Sequence, residues 1–287
     1  MAELNAPAYE VVIEPSRSWL KFDWQEFWQY RDLLMLLIHR DVTSRYKQTL
    51  LGPLWFVLQP VLTALVFAII FGRVAGIPTD GIPGPLFYLC GLLGWNYFSQ
   101  NITNAGSSFV TNAHLFGKVY FPRLIVPIAV ILSNVVAFGI QLVPLALFWG
   151  YYEFFTNQAD AVRVTPWILL TPLPLLHVAV LSLGVSLLMS AATAKFRDLI
   201  HLNQFLVQIW MFATPIFYPL SKVPQEWHWI IWVNPMSVPV EAFRICLLGR
   251  GTLGTAEVVM SVAFAVLLLG LGIAAFQKVE RTVIDSV

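Results

Sequence analysis

Long apolar stretches alternate with short polar segments along most of the chain. Six stretches of span length contain no lysine, arginine or aspartate, and their one glutamate, Glu257, lies at a boundary. A helix needs roughly 20 apolar residues to cross the hydrocarbon layer, where its backbone groups must bond within the helix. The pattern predicts an all-α integral membrane protein with six transmembrane helices, at 53–72, 85–107, 124–152, 165–192, 200–220 and 257–277.

Two further segments are apolar but too short or too interrupted to cross. From Asp23 to about Thr43, apolar residues recur at helical spacing among charged ones, which predicts an amphipathic helix in the membrane interface or at a docking face for a cytoplasmic partner. Residues 221–250 are rich in tryptophan and proline and predict two short helices, either re-entrant in the outer membrane face or lying on it as an amphipathic loop. Chain breaks are expected at Pro224, Pro235 and Pro239.

The distribution of basic residues predicts the orientation of the chain. Residues 1–50 are expected to form a cytoplasmic tail and the interface helix, and residues 51–287 the six-helix transmembrane domain. An even number of crossings places both termini on one side. Twelve of the 17 lysines and arginines then fall on the amino-terminal side. By the positive-inside rule, both termini are expected in the cytoplasm.

Composition narrows the class of function. The chain is 58% hydrophobic and 11% charged, with a mean hydropathy of +0.71 and a net charge of +1, so its solvent is lipid and it has no long-range field to attract nucleic acid. The sequence contains no G-x-x-x-x-G-K-[ST] phosphate loop, clustered carboxylates or metal-ligand pattern. We therefore expect no catalytic or metal site, and a conduit driven by another subunit. An ion-coupled transporter and a membrane enzyme of glycan assembly remain as alternatives.

Aromatic residues make up 14% of the chain, and many cluster near the ends of the predicted spans. Their flat apolar faces and polar edges suit sugar rings in a glycan conduit. They also suit the ordinary aromatic belt that anchors helices at headgroup depth. The residues concerned are Trp55, Phe56, Trp95, Tyr97, Phe98, Phe217 and Tyr218.

The segment Arg45 to Pro60, RYKQTLLGPLWFVLQP, resembles the start of the first span in the ABC-2 type permeases that export O-antigen, capsule and teichoic acid. The resemblance continues through 116–123, 195–198, 214–219 and 234–236. It implies a homodimeric permease in the bacterial inner membrane, bound to two copies of a separate ATPase that holds ATP and magnesium, with no cofactor on this chain. The implied cargo is a polysaccharide on undecaprenyl diphosphate. O-antigen is the leading cargo, and teichoic acid, capsule, a drug or a lipid are the alternatives.

The same resemblance implies roles for residues near the membrane surfaces. The loop from 112 to 123 is similar to the coupling element that seats in the ATPase, with Asn112, His114, Phe116, Lys118, Tyr120 and Arg123 as its contacts. Lys195 and Arg197, on the next cytoplasmic turn, either make a second ATPase contact or, for Arg197, pair locally with Asp198.

Two other groups complete the expected site. Arg40, Arg45 and Lys47 precede the first span, where they either meet the lipid diphosphate or anchor the chain by positive charge. In the family, the segment between the last two spans gates the external mouth of the conduit. This implies a periplasmic gate at Trp227, Trp229 and Trp232.

Overall fold

The computed structural model describes residues 24–47, 52–116, 121–156 and 165–284, and within these ranges every regular element is helical. In chain order the α-helices are α1 (Trp24–Gln29), α2 (Arg31–Tyr46), α3 (Trp55–Phe67), α4 (Gly84–Ala105), α5 (Ser108–Thr111), α6 (Ala113–Phe116), α7 (Ile125–Phe155), α8 (Pro172–Lys195), α9 (Leu199–Ala213), α10 (His228–Val233), α11 (Ser237–Leu248) and α12 (Thr255–Ile284).

Four helical segments of the described chain are long and apolar enough to cross a membrane, which confirms a multi-pass membrane protein. They are Gly52–Val74, Ile125–Phe155, Pro166–Lys195 and Thr255–Glu280. The other two predicted spans correspond to α4 and α9. Helix α4 has 22 residues but includes polar side chains, and α9 has 15 residues, a length of about 22 Å. A total of six crossings stays a prediction.

Two element boundaries differ from those predicted because of proline. The fifth span was expected to run to residue 220, but α9 ends at Ala213, since Pro215 and Pro219 lack the backbone N–H that a continuing helix needs. Conversely, Pro239 was expected to break the chain and instead lies inside α11. It occupies the first turn, where the N–H has no partner within the helix.

Helix α4 lies at the centre of the main core, which it shares with residues of α3, α7, α8 and α11. Beside this core, α8 and α12 approach each other closely at Gly184 and Gly272. A Cβ atom at Gly272 would lie 2.5 Å from the Gly184 carbonyl oxygen, so only glycine permits this packing. The α8–α12 pair is consequently a close-packed wall of the bundle.

The predicted amino-terminal interface helix is α1 followed by α2, with a break at Tyr30. Leu37 of α2 is buried against Ile125, Val126 and Ala129 of α7. On the other side, Met35 and Leu36 are exposed, at 66% and 64%. Helix α2 thus packs on the bundle and presents an apolar surface away from it. The predicted division between residues 50 and 51 lies outside the described residues.

Candidate functional site

A cavity of about 330 Å³ lies between α3, α4 and α7. This volume is in the range of ligand-binding pockets. Its apolar lining is formed by Trp55, Phe56, Pro60 and Leu92. Its polar lining is formed by Gln59, Thr63, Asn96, Gln100 and Gln141. The lining therefore combines amide and hydroxyl groups with aromatic faces, and none of the described residues that form it is charged.

Helical spacing brings these groups together. Gln59 and Thr63 are four residues apart on α3, as are Asn96 and Gln100 on α4, so each pair lies on one helix face. The Asn96 side-chain amide donates a hydrogen bond of 3.1 Å to the side-chain oxygen of Gln141 on α7. The spacing of amides within apolar helices is the signal in the sequence from which these cavity residues could have been predicted.

A buried polar network fixes two walls of the cavity relative to each other. The Asn134 amide of α7 donates to the side-chain oxygen of Asn101 on α4 at 2.6 Å, and the Asn101 amide donates to the Ser182 hydroxyl of α8 at 2.9 Å. The Ser186 hydroxyl donates to the backbone carbonyl of Asn101 at 3.1 Å. These bonds hold α4, α7 and α8 together, and none of them involves α3.

The predicted conduit aromatics fall into separate groups. Trp55 and Phe56 line the cavity. Trp95, Tyr97 and Phe98 instead lie in the core, each no more than 4% exposed. Phe98 packs edge to face with Trp210 of α9 at a centroid distance of 5.1 Å. A sugar ring would reach these three side chains only if α4 separated from its neighbours, so their conduit role stays a prediction.

Phe217 forms an aromatic cluster at the ends of α3 and α9. Its ring centroid lies 4.9 Å from that of Phe67, 4.6 Å from that of Phe71 and 5.2 Å from that of Phe212. Phe71 belongs to a π-helical segment, Ala68–Val74, that continues α3. The next residue, Tyr218, is half-buried, and its hydroxyl donates to the Ala213 carbonyl at 3.4 Å.

The described part of the predicted coupling loop packs against the bundle. Phe116 contacts Phe109 and Phe121, with ring centroids 5.7 and 5.8 Å away. The Arg123 guanidinium lies over the Phe116 ring at 5.2 Å and 3.9 Å from the Glu280 carboxylate, with the Arg123 side chain 12% exposed. Arg123 was expected to reach an acidic ATPase residue, whereas the structure gives it a partner in its own chain.

The structure describes some of the remaining coupling residues and not others. Asn112 follows α5, and its amide donates to the Ser108 carbonyl at 3.2 Å. His114 lies on α6, and its side chain lies outside the described part, as do residues Lys118 and Tyr120. Lys195 and Arg197 are both exposed, and no ion pair joins Arg197 to Asp198. The two cations remain accessible in this chain.

The basic residues before the first span are arranged along the end of α2. Arg40 pairs with Asp41 at 2.9 Å. Arg45 lies in the last turn of α2, and the exposed Lys47 follows as its C-cap. Arg40, Arg45 and Lys47 therefore lie within about two helical turns of one another, before the first span.

The predicted gate tryptophans lie on and before α10. Trp227 and Trp229 are 54% and 60% exposed. Trp232 also lies on α10, and its side chain lies outside the described part. The two short helices predicted between the last two spans correspond to α10 and α11, and their depth in the membrane stays a prediction.

Comparison with known proteins identifies the family. The sequence profile of the family described as ABC-2 type transporter matches residues 32–248. The chain belongs to the ABC-2 type transporter family. It is 34% identical over 203 residues to the O-antigen export system permease protein RfbA of Myxococcus xanthus, which covers 70% of this chain and 74% of that one.

Two further relatives extend over more of this ABC-2 transporter chain. The O-antigen export system permease protein RfbA of Klebsiella pneumoniae is 28% identical over 249 residues, 87% of this chain and 92% of that one. The polysialic acid transport protein KpsM of Escherichia coli is 24% identical over 256 residues, 87% of this chain and 94% of that one. The similarity therefore extends across most of the chain in each comparison.

This ABC-2 transporter contains a buried ion pair that was not predicted from the sequence. Glu241 and Arg244 lie three residues apart on α11, 3.0 Å from each other, with side chains 3% and 2% exposed. Arg244 is one of the five lysines and arginines outside the twelve on the amino-terminal side. An acid and a base at helical spacing inside the apolar run SVPVEAFRICLL indicated a paired, enclosed site.

Proposed function

We propose that this chain is the permease subunit of an ABC exporter that moves a polysaccharide linked to undecaprenyl diphosphate, with O-antigen as the cargo. The export is driven by ATP hydrolysis on a separate subunit, which holds the nucleotide and magnesium. Two copies of the chain and two ATPase subunits form the transporter in the inner membrane. Each permease crosses six times, with both termini in the cytoplasm.

The observation on which this proposal rests is the neutral polar cavity between α3, α4 and α7. Carboxamides and hydroxyls donate and accept hydrogen bonds, as sugar hydroxyls do, and the Trp55 and Phe56 rings offer apolar faces to sugar rings. A polar cavity is expensive within an apolar bundle, which favours a functional role. The similarity to two O-antigen permeases supports the cargo assignment.

The charged carrier needs a different environment from the sugars. Among the described residues no cation lines the cavity, whereas Arg45 and Lys47 lie before the first span. Guanidinium and ammonium groups bind diphosphate oxygens strongly. We therefore place the lipid diphosphate at the carboxyl-terminal end of α2, beside Arg45 and Lys47, and the glycan along α3.

A second candidate cargo is capsular polysaccharide. It is favoured by the similarity to a polysialic acid transport protein over 87% of the chain. Polysialic acid is an anionic polymer, and the described residues of the cavity lining include no cation to bind it. The neutral lining accordingly favours a polymer whose repeat is largely uncharged.

Deletion of the gene in its own host tests the export function. Accumulation of undecaprenyl-linked polymer on the cytoplasmic side, with loss of polymer at the surface, is the expected result. It is measured by fractionation and by staining of intact cells. Unchanged surface polymer would contradict the polysaccharide assignment, and the search would turn to another cargo.

Complementation of the deletion strain tests the cavity itself. Gln59→Leu and Gln100→Leu remove amide groups from the cavity without adding charge, and we expect each to lower surface polymer about tenfold or more while the protein accumulates normally. Gln29→Leu, at an exposed position on α1, is the matched control and should export as the wild type does. Normal export by both cavity variants would exclude the cavity from the glycan path.

A further inference from the structure

The Arg244 side chain joins several segments that are distant in sequence. Its guanidinium donates to the Glu241 carboxylate at 3.0 Å, to the Pro215 carbonyl at 2.6 Å and to the Ile216 carbonyl at 3.3 Å. It also lies 3.9 Å from the ring centroid of Phe87 on α4. The arginine therefore fixes the linker that follows α9 to both α11 and α4.

Glu241 extends this arrangement to the other end of the segment between α9 and α12. One oxygen of its carboxylate accepts from Arg244, and the other accepts from the Thr252 backbone N–H at 3.1 Å. Thr252 lies just before α12. The ion pair thus connects the chain leaving α9 with the chain about to form α12.

Stability alone does not account for a charged pair in this position. Removal of two charges from water costs about as much as their attraction returns, and well-packed apolar residues are often at least as stable. An apolar pair would not fix the orientation of the backbone groups beside it. The planar guanidinium bonds the carboxylate through Nη1 and two successive carbonyl groups through Nη2, in a rigid geometry that the single flexible nitrogen of lysine does not reproduce and that leucine lacks altogether.

The residue placed by that orientation is Phe217, which directly follows the two bonded carbonyls. Its ring lies between Phe67 and Phe71 of the α3 segment and Phe212 of α9. The Phe217 side chain is 4% exposed, although Phe212 beside it is 56% exposed. Phe217 closes the space between α3 and α9 at the end of α3 remote from the interface helix.

We propose that Arg244, paired with Glu241, is a positioning residue for transport, which holds Phe217 as an aromatic closure between α3 and α9. The inference rests on the proposed function in one respect, because it places the glycan path along α3. With the pair intact the path is closed at its outer end. Passage of cargo requires Phe217 to leave the rings of α3 while Arg244 keeps the linker attached to α11.

The test measures leakage through the resting transporter. The permease, assembled with its ATPase partner, is reconstituted in vesicles loaded with the neutral trisaccharide raffinose, and efflux is followed without ATP. Arg244→Lys keeps the charge but replaces the two nitrogens that bond the carboxylate and the carbonyls with a single one on a flexible stem, so we expect efflux about tenfold above the wild type. Arg250→Lys, an arginine-to-lysine change at an exposed position of the same region, should remain tight.

A double variant separates positioning from a general structural role. Phe217→Ala should raise efflux as much as Arg244→Lys does, and the combination of the two should leak no more than Phe217→Ala alone, because Arg244 acts through Phe217. Wild-type efflux from assembled Arg244→Lys, or efflux that multiplies in the double variant, would overturn the proposal. If Arg244→Lys does not accumulate, Glu241→Gln with Arg244→Gln removes both charges together and is judged by the same two outcomes.

This measurement uses no polysaccharide, so its result is independent of the cargo. A tight Arg244→Lys variant in a transporter that exports polymer would contradict the closure and leave the proposed function intact. Leaky Arg244→Lys and Phe217→Ala variants, in a host whose surface polymer does not depend on the chain, would support the closure and contradict the polysaccharide assignment.

Discussion

Helix α7 and the segment that contains α3 are both apolar enough to cross a membrane, yet they differ in how much of each is buried in the bundle. In the most apolar 18-residue window of each segment, 61% of the α7 residues are buried, compared with 11% for the segment that contains α3. Helix α7 is bonded to α4 through Asn134 and Asn101. Helix α3 contributes Gln59 and Thr63 to the cavity and exposes Leu62 on its surface.

The difference shows that hydropathy reports only the preference for a non-aqueous surrounding. Lipid, a second copy of the chain and the chain's own core satisfy this preference equally well. Burial separates them: α7 belongs to the fixed scaffold, and α3 has a surface available to lipid, to a partner or to cargo. A helix with a wide exposed face that also lines a cavity is the better candidate for movement.

The largest expected effect comes from equal truncations on the two helices. Leu145 of α7 is 6% exposed, and Leu62 of α3 is 52% exposed. Leu145→Ala leaves a void in the core and should lower the free energy of unfolding by about 2–5 kcal/mol, whereas Leu62→Ala should lower it by less than about 1 kcal/mol. Unfolding of the purified chain in bicelles, followed by steric trapping, measures both values.

The assembled transporter sharpens this comparison. If Leu62→Ala destabilises the complex as strongly as Leu145→Ala but leaves the single chain unaffected, the α3 surface is covered by a second copy. Equal losses in the single chain would contradict the division of the bundle into a fixed α7 and an exposed α3.

Much of the fold was predictable because the cost of unbonded backbone in lipid determines where helices form. Each predicted span contains a helix, and residues 24–46 contain the two helices before the first span. Helix ends were less predictable. Pro215 ends α9 early, and Pro239 lies harmlessly in the first turn of α11, and only the backbone bonding of each site separates the two cases.

The site was harder to predict for a geometric reason. Trp95 faces the core, whereas its neighbour Asn96 faces the cavity. Adjacent residues differ by about 100° around a helix, and a helix that is largely enclosed has no polar stripe to show which face is which. The aromatic pattern therefore identified Trp55 and Phe56 on the cavity, together with three aromatic residues of the core, without distinguishing them.

A smaller effect is expected when one polar residue on each of the same two helices is replaced by an apolar residue. Asn134 of α7 is 1% exposed and donates to Asn101 at 2.6 Å. Asn134→Leu leaves the Asn101 oxygen without this donor and should cost roughly 1–2 kcal/mol of unfolding free energy. Thr63→Val on α3 removes only a local bond to the Gln59 carbonyl and should cost less than about 0.5 kcal/mol.

In an export assay we expect the opposite order, with the larger loss of surface polymer in the variant that loses less stability. Thr63→Val changes the cavity lining and should reduce surface polymer in a complemented deletion strain, despite its normal stability. If Asn134→Leu proves as stable as the wild type, the network between α4, α7 and α8 does not hold the scaffold, and the cavity walls are as mobile as α3.

A small effect on stability is expected at Arg123, which lies two residues before the start of α7. Arg123 is 3.9 Å from Glu280 of α12, and the two side chains are 12% and 23% exposed. Water and salt reach such a pair, so Arg123→Gln should change the free energy of unfolding by less than about 1 kcal/mol, and by still less in high salt. Unfolding at two salt concentrations measures this difference.

Co-purification and export by the same variant then decide between two roles, because Arg123 pairs with Glu280 of α12 in the structure and was predicted from the sequence to contact the ATPase. A stable Arg123→Gln chain that no longer retains the ATPase in co-purification would support the contact predicted from the sequence. Normal retention with fewer polymer chains exported per ATP would support the link to α12, through which movement at the start of α7 reaches the close-packed α8–α12 wall.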